Sequence, residues 1–169
     1  LLRRLLMEAS GTYHHSIVVA NLAEQAADAI GADGLFARTA AYYHDVGKLK
    51  RPVFFKENQV GSENPHDHIA PELSAMILIS HTTDGVAIAK KYRLPQQIQD
   101  VIRCHHGDTM TAYFYGKACK IAQTQQNGSV HEADFRYPGP RPRTREEAVI
   151  MLADTIEAAS RTLREHTPD

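Results

Sequence analysis

Apolar side chains recur every three or four residues along almost the whole chain, the period of packed helices rather than strands. Leu1-Leu2-Arg3-Arg4-Leu5-Leu6 already reads as the interior of a helix. After Gly11, Thr12 is a candidate N-cap for a long helix that Gly31 would end. Within it Val18, Leu22, Ala26 and Ala29 share one face, and His15 continues that face three residues earlier. A third helix is expected over about 33–43, breaking at His44-Asp45-Val46-Gly47, where Gly47 permits a sharp exit. Residues 48–70 hold Pro52, Gly61 and Pro65 and read as a long loop with room for one short helical turn.

Pro71 suits the first position of a helix in which Leu73, Met76, Ile77 and Ser80 lead to His81. Thr82 or Thr83 can then cap a separate short helix running through Tyr92. Pro95 opens another, where Ile98, Val101, Ile102 and His105 share a face before Gly107 stops it. A further helix covers about 111–125, and residues 127–143, punctuated by Gly128, Pro138, Gly139, Pro140 and Pro142, form a second long loop. Thr144 and Glu147 make a capping box for a last helix reaching about Leu163. With no internal repeat and no linker, the pattern predicts one all-α domain over residues 1–169, a helical bundle with two long loops.

Composition narrows what such a domain does. Its 169 residues carry 19 Lys and Arg against 20 Asp and Glu, so it lacks the basic excess of a general nucleic-acid coat, and no DNA or RNA polymer is expected as partner. Cys104 and Cys119 cannot build a disulfide scaffold and fit a reducing compartment. The densest apolar run, Ala75 to Ile79, is far too short to cross a bilayer. Because the chain opens on a mid-helix pattern, it reads as a piece of a longer protein, so missing leaders and spans say nothing of the parent. The oddity is ten histidines beside no tryptophan.

Several of those histidines stand where a core helix would place leucine. His15 and His105 lie on apolar stripes, and Asp154 falls between Met151 and Ala158 on the inner side of the last helix, with no Lys or Arg in the turn before it. A buried carboxylate without a cation is costly, and a metal ion would resolve the cost. Each residue alone has an ordinary explanation: a hydrogen-bonded core histidine, an imidazole at a helix C-terminus, a half-exposed carboxylate, a helix end at His44-Asp45. Together, His15, His44, Asp45, His81, His105, His106 and Asp154 recur at helix ends or inner faces across five helices. They are too many for one tetrahedral zinc. They suit two five- or six-coordinate ions sharing a bridging carboxylate, with positions left open for water.

The order His15…His44-Asp45-Val46-Gly47-Lys48…His81…His105-His106…Asp154 resembles the HD-domain phosphohydrolases, in their two-metal branch. Gly11-Thr12-Tyr13-His14-His15-Ser16, Glu63-Asn64-Pro65-His66-Asp67 and Asp134-Phe135-Arg136-Tyr137-Pro138-Gly139-Pro140 are similar to the cytoplasmic HD domain of the bacterial seven-transmembrane HD family, over essentially the whole chain. Members of that family hydrolyse cyclic di-AMP. The resemblance implies one metal on His15, His44, Asp45 and Asp154, and a second on Asp45, His81, His105 and His106, with Asp45 bridging. It implies redox-active iron, with manganese as a working substitute, and a membrane region upstream of a cytoplasmic domain. The related HD-GYP branch, which cleaves cyclic di-GMP, carries Gly-Tyr-Pro after its paired histidines. Here His105-His106 is followed by Gly107-Asp108-Thr109, and Tyr137-Pro138 is preceded by Arg136, which argues against that branch.

Chemistry then suggests the roles. Two cations about 3.5–4 Å apart bind the non-bridging oxygens of a phosphodiester and hold a bridging hydroxide in line. The resemblance implies that the reaction opens cyclic di-AMP to linear 5′-pApA. The alternatives are another nucleotide substrate (a mononucleotide or guanosine tetraphosphate) or a regulatory module that binds nucleotide without turnover. Lys48, three residues after Asp45, is a candidate phosphate contact, though a solvated loop lysine fits equally. Arg136, Arg141, Arg143 and Arg145 could serve a second phosphate or simply keep an exposed loop soluble. Tyr137 could stack on a base. Asn64 and His66 are candidates for the cleft border. Phe54-Phe55 and Tyr42-Tyr43 read as core, and Glu157 with Arg161 as a helix-surface pair without chemistry. A homodimer is compatible with the sequence but not specified by it.

Overall fold

The computed structural model describes residues 1–59, 61, 63–125 and 129–161. Those residues form seven α-helices: α1 (Leu2–Glu8), α2 (Ser10–Ala29), α3 (Gly34–Ala41), α4 (Pro71–Lys91), α5 (Gln96–Cys104), α6 (Ala112–Gln125) and α7 (Arg145–Ser160). The only extended pairing among them is an isolated antiparallel bridge between Met110 and Arg136. No described helix is long and apolar enough to cross a membrane. The expected end of α7 at Leu163, and Asn127 and Gly128 of the second loop, lie outside the described residues.

The main core joins α1, α2, α3, α4, α5 and α7 with the turn after Asp45, and much of it is alanine. Ala20, Ala23, Ala27, Ala37, Ala40 and Ala41 are fully buried. Small side chains let helix backbones approach closely, which brings polar groups on adjacent helices within reach of one another. They also defeat the expected stripe on α2. Val18 and Leu22 are 46% and 39% exposed, whereas Thr12, His15, Ser16, Val19, Ala23 and Ala27 face inward. The inward face is therefore the one reached from His15 by a step of four, to Val19, not the step of three, to Val18. Side-chain size pointed the wrong way, because the bulky aliphatics stand outside and the alanines inside.

Two helix boundaries also differ from expectation. Thr12 lies inside α2 rather than capping it; its N–H donates to Asn58 Oδ1 at 3.0 Å, and its hydroxyl lies 3.1 Å from Glu57 Oε1. A residue of the long loop thus satisfies an orphan donor of the first helical turn. The expected break after His81 is absent, and α4 runs on to Lys91. The hydroxyls of Ser80, Thr82 and Thr83 bond back to carbonyls three residues earlier instead of capping a new helix. The predicted capping box at Thr144 and Glu147 is formed in both directions, a feature worth about 1 kcal/mol.

The loop over 48–70 winds through 3-10 turns at Val46–Lys50, Pro52–Phe54, Lys56–Asn58 and Pro65–Asp67, more structure than a single turn. Its first turn is pressed onto α4. A Cβ on Gly47 would fall 1.8 Å from His81 O and 2.7 Å from Gly85 N. The φ of Gly47 is not positive. What this position requires is room for a backbone, not an unusual turn. Gly47→Ala should therefore destabilise by at least ~1–3 kcal/mol, the cost of overpacking against main chain that cannot yield. Gly85→Ala, whose tightest contact is the Ile102 side chain at 2.6 Å with the Gly47 main chain no nearer than 3.3 Å, should cost less. Denaturant midpoints of the two variants check the order.

Candidate metal centre

Five segments converge on Asp45. The break after α3 supplies His44 and Asp45, α2 supplies His15, α4 supplies His81, the end of α5 supplies His105 and His106, and α7 supplies Asp154. All but His106 are at most 7% exposed. The two oxygens of Asp45 face different groups. Oδ2 lies 3.5 Å from His15 Nε2 and 3.4 Å from His44 Nε2, while Oδ1 lies 3.3 Å from His81 Nε2 and 3.7 Å from His105 Nε2. Asp154 completes the first group with Oδ1 3.0 Å from His15 Nε2, and His106 stands beside the second, its ring 4.1 Å from that of His105.

The imidazoles are turned toward this point by their outer nitrogens. Nδ1 of His44, His81 and His105 donates to the carbonyls of Ala41, Leu78 and Ile102 at 2.6, 2.6 and 2.9 Å, each three residues back along the helix. A carbonyl can only accept, so the proton sits on Nδ1 and the neutral ring offers a bare Nε2 inward. His81 Nε2 and His105 Nε2 then face each other at 3.1 Å, lone pair against lone pair. His15 Nε2, His44 Nε2 and Asp45 Oδ1 are buried with no hydrogen bond among the described residues. Such an arrangement calls for positive charge among these atoms, from a metal ion or, without one, from a proton. Metal–nitrogen bonds of ~2.1 Å place neighbouring ligand atoms ~3–4 Å apart, which is the spacing present. The donor set of neutral imidazole and carboxylate fits transition-metal dications.

Electrostatics describe the same demand. Burial works against a charge on His44, but the carboxylates of Asp45 and Asp154 outweigh it and push it up to about 10. Burial likewise opposes ionised Asp45, yet Lys48 and His44 hold it well below the usual carboxylate range. Asp154 is held low against its burial by His15 and His44. His105 and His106 go the other way. Burial, then the neighbouring imidazoles, drive His105 well down and His106 down to about 3.

Above the centre lies a cavity of about 650 Å³. Of the residues expected from sequence, His15, Lys48, Asn64, His66, His81, His106, Tyr137 and Asp154 line it. Lys48 Nζ is 2.6 Å from Asp45 Oδ2 and 2.7 Å from Glu57 Oε1, so two carboxylates already engage it. His66 is buried between Phe54 and Phe114, its Nε2 donating to Phe54 O at 2.9 Å, and Asn64 accepts from His66 N. Tyr137 stacks on His106 with ring centroids 4.3 Å apart. Fully buried Phe135 anchors that strand beside α6, and Tyr137 N donates to Thr109 O at 2.9 Å.

Arg136 and Arg141 do not line the cavity. Phe135 ends the 3-10 turn Glu132–Phe135 and Arg136 is extended; Phe135 is buried and Tyr137 lines the cavity, while Arg136 between them is exposed. There it pairs with Glu132 and donates to Asp108 O. Arg141 is 79% exposed and paired with Asp108, and Arg143 borders that same outer depression. Phe54 and Phe55, expected in the core, both line the cavity, where Phe55 is buried as expected and Phe54 half-buried; Tyr113 and Phe114, which no spacing had marked, line it too. Tyr42 and Tyr43 do pack on the core. Glu157 is not a surface residue: it is 8% exposed and its Oε2 lies 2.6 Å from His15 Nδ1, with Arg161 Nη2 2.7 Å from the same oxygen and 3.3 Å from His15 Nδ1. Its signal was the three-residue step from Asp154, which puts both carboxylates on one face of α7.

The HD domain family matches this chain over residues 12–159. The chain belongs to the HD-domain family. It is 48% identical to the cyclic-di-AMP phosphodiesterase PgpH of Bacillus subtilis over the whole chain, and 50% identical to PgpH of Listeria monocytogenes over 99% of it. It spans only 23% of either relative's length. More distantly, it is 31% identical to ribonuclease Y of Ureaplasma parvum, over 86% of this chain and 26% of that protein. The crystal structure of the L. monocytogenes PgpH HD domain in complex with cyclic-di-AMP superposes with a TM-score of 0.91 at 50% identity, covering 98% of this chain and 75% of that one. The all-α HD fold is thus common to both.

A pH dependence follows for the metal-free HD domain. Unfolded, His105 and His106 take up protons near the ordinary value of 6.5, whereas in the fold they stay neutral far below it. The unfolded chain therefore binds more protons below pH 6.5, and stability falls as pH falls from there. The raised His44 is already protonated on both sides of that window, and the lowered Asp45 and Asp154 lose their contributions only in stronger acid. Thermal melts in chelator should show a decline between pH 6.5 and 4.5 of up to ~1.4 kcal/mol per pH unit for each histidine. His106→Asn should remove roughly half of the slope.

Proposed function

We propose that this HD domain is a two-metal phosphodiesterase that opens cyclic di-AMP to linear 5′-pApA. The observation that carries the reading is the division of Asp45, one oxygen toward each of two donor groups, at the floor of a cavity with aromatic walls. His15, His44, Asp45 and Asp154 would hold one dication, and Asp45, His81, His105 and His106 the other, with iron or manganese suited to this mixture of imidazole and carboxylate. When bound, the pair supplies an activated water and positive charge against the phosphate oxygens. The protein's own groups do the rest. Lys48, tied to Glu57, holds Asp45 in place and adds positive charge beside the phosphate. Tyr137, fixed on His106, offers a ring face at the cavity wall on which a base can stack. Asn64 and His66 brace the opposite wall and border the substrate. The likeness to a domain solved with cyclic-di-AMP supports the substrate, and the departures from the Gly-Tyr-Pro pattern support adenine over guanine dinucleotides. The family likeness also supports a cytoplasmic domain carried by a membrane protein.

The test incubates the domain with cyclic di-AMP, cyclic di-GMP and a short oligoribonucleotide, in manganese, in anaerobic ferrous iron, and in chelator. Metal-dependent release of pApA with little turnover of the other two is expected, and Asp45→Ala should abolish it. Tyr137→Ala should raise KM by roughly five- to a hundredfold, the equivalent of ~1–3 kcal/mol for one stacked base, with kcat less affected. Turnover of the oligoribonucleotide alone, or of all three in chelator, would sink the proposal.

A further inference from the structure

His15 differs from the other inward-facing imidazoles in what grips its outer nitrogen. His44, His81 and His105 each donate Nδ1–H to a main-chain carbonyl, a neutral dipole. His15 donates to the carboxylate of Glu157 at 2.6 Å. That carboxylate is almost fully buried, and Arg161, at the cavity rim, clamps it from the next turn of the helix at 2.7 Å. Asp154 meets the opposite nitrogen, Nε2, at 3.0 Å. One turn of α7 thus holds the His15 ring from both edges, and the three other ligands of this kind have no such support.

A charged acceptor forms a shorter and stronger bond than a carbonyl and draws the Nδ1 proton toward itself, which leaves Nε2 the more electron-rich donor. We infer that Glu157 is a positioning residue that makes the His15–His44–Asp154 position the tighter of the two metal positions, so that it fills first. The inference rests on the two-metal reading above. Asp45 gives one oxygen to each group, so the asymmetry between the positions comes from their other ligands: the first adds the carboxylate of Asp154 and an imidazole backed by Glu157, the second only imidazoles. Arg161 holds the Glu157 carboxylate at 2.7 Å and lies 3.3 Å from His15 Nδ1, so it balances the charge of Glu157 at the same ring edge that Glu157 grips.

The experiment titrates the chelated, metal-free chain with Mn2+ alone, reading bound metal by calorimetry and by the electron paramagnetic resonance signal of free and bound ion. Wild type should take two ions with separable affinities. Glu157→Gln should weaken the tighter one by about 10–100-fold and leave the weaker unchanged, so that the two steps merge. Glu157→Asp, which keeps the charge, should restore part of the loss. Arg161→Met, a change at a partly exposed side chain, should shift the same step in the same direction by less, and it carries the test if Glu157→Gln does not fold. An unchanged tight step in these variants, or an equal loss at both steps, overturns the inference. Fewer than two ions on wild type overturns the two-metal reading instead.

Discussion

The structure is organised around a buried carboxylate whose two oxygens answer to different neighbours. Asp45 stands at the break after α3, 1% exposed, with imidazoles converging on it from α2, α4 and α5. Bare nitrogens and carboxylate oxygens brought this close repel or go unpaired unless positive charge lies among them. The rest of the fold can be read as what it takes to hold that arrangement. Alanine faces let α2, α3 and α7 close together, Gly47 lets the turn after Asp45 lie on α4, and i−3 carbonyls aim the rings. Each of these is a rigid main-chain or small-residue device, which suits a site whose donors must keep their spacing when empty.

Much of this was legible in the chain. The seven polar positions at helix ends and inner faces are brought together at one centre, because so many buried imidazoles and carboxylates offset their desolvation only when they share positive charge. The capping box at Thr144 and the loops at their expected places follow from local chemistry that tertiary contacts do not override. What sequence reasoning missed shares one cause: a local pattern was read without its tertiary partner. On α2 the bulky Val18 and Leu22 suggested the wrong inner face, since alanines can be the buried residues when helices pack closely. Thr12 and Thr82 resembled caps, but one was claimed by Asn58 and the other by its own helix.

The arginines and Glu157 carry the same lesson at the site itself. Arg136 and Tyr137 were both candidates for substrate contact, yet neighbours about an extended residue send their side chains to opposite faces. Glu157 and Arg161 looked like a surface pair because four-residue spacing normally is one. That spacing places both on the stripe already defined by Asp154, three residues before Glu157, and a stripe that buries one carboxylate can bury a second. Aromatic lining from Phe54, Tyr113 and Phe114 could not have been read from spacing at all, since those residues meet only when the first long loop folds against α6.

Charge ties the centre to the ligand proposed for it. Four carboxylates lie in or against the first layer, those of Asp45, Asp154, Glu57 and Glu157, and two side-chain cations, Lys48 and Arg161, are paired with them. With neutral histidines this shell is short of two positive charges, which explains why His44 is driven to hold a proton when no metal balances it. Two dications reverse the deficit into an equal surplus, which is the charge that the two phosphodiesters of a cyclic dinucleotide would neutralise. A mononucleotide would place all its charge on one phosphate group and offer a single base to a cavity that carries the rings of Phe54, Phe114 and Tyr137. A cyclic dinucleotide has two singly charged phosphates to set against the metals and two bases to set against those rings. That match, rather than any one contact, is the physical argument for a cyclic dinucleotide.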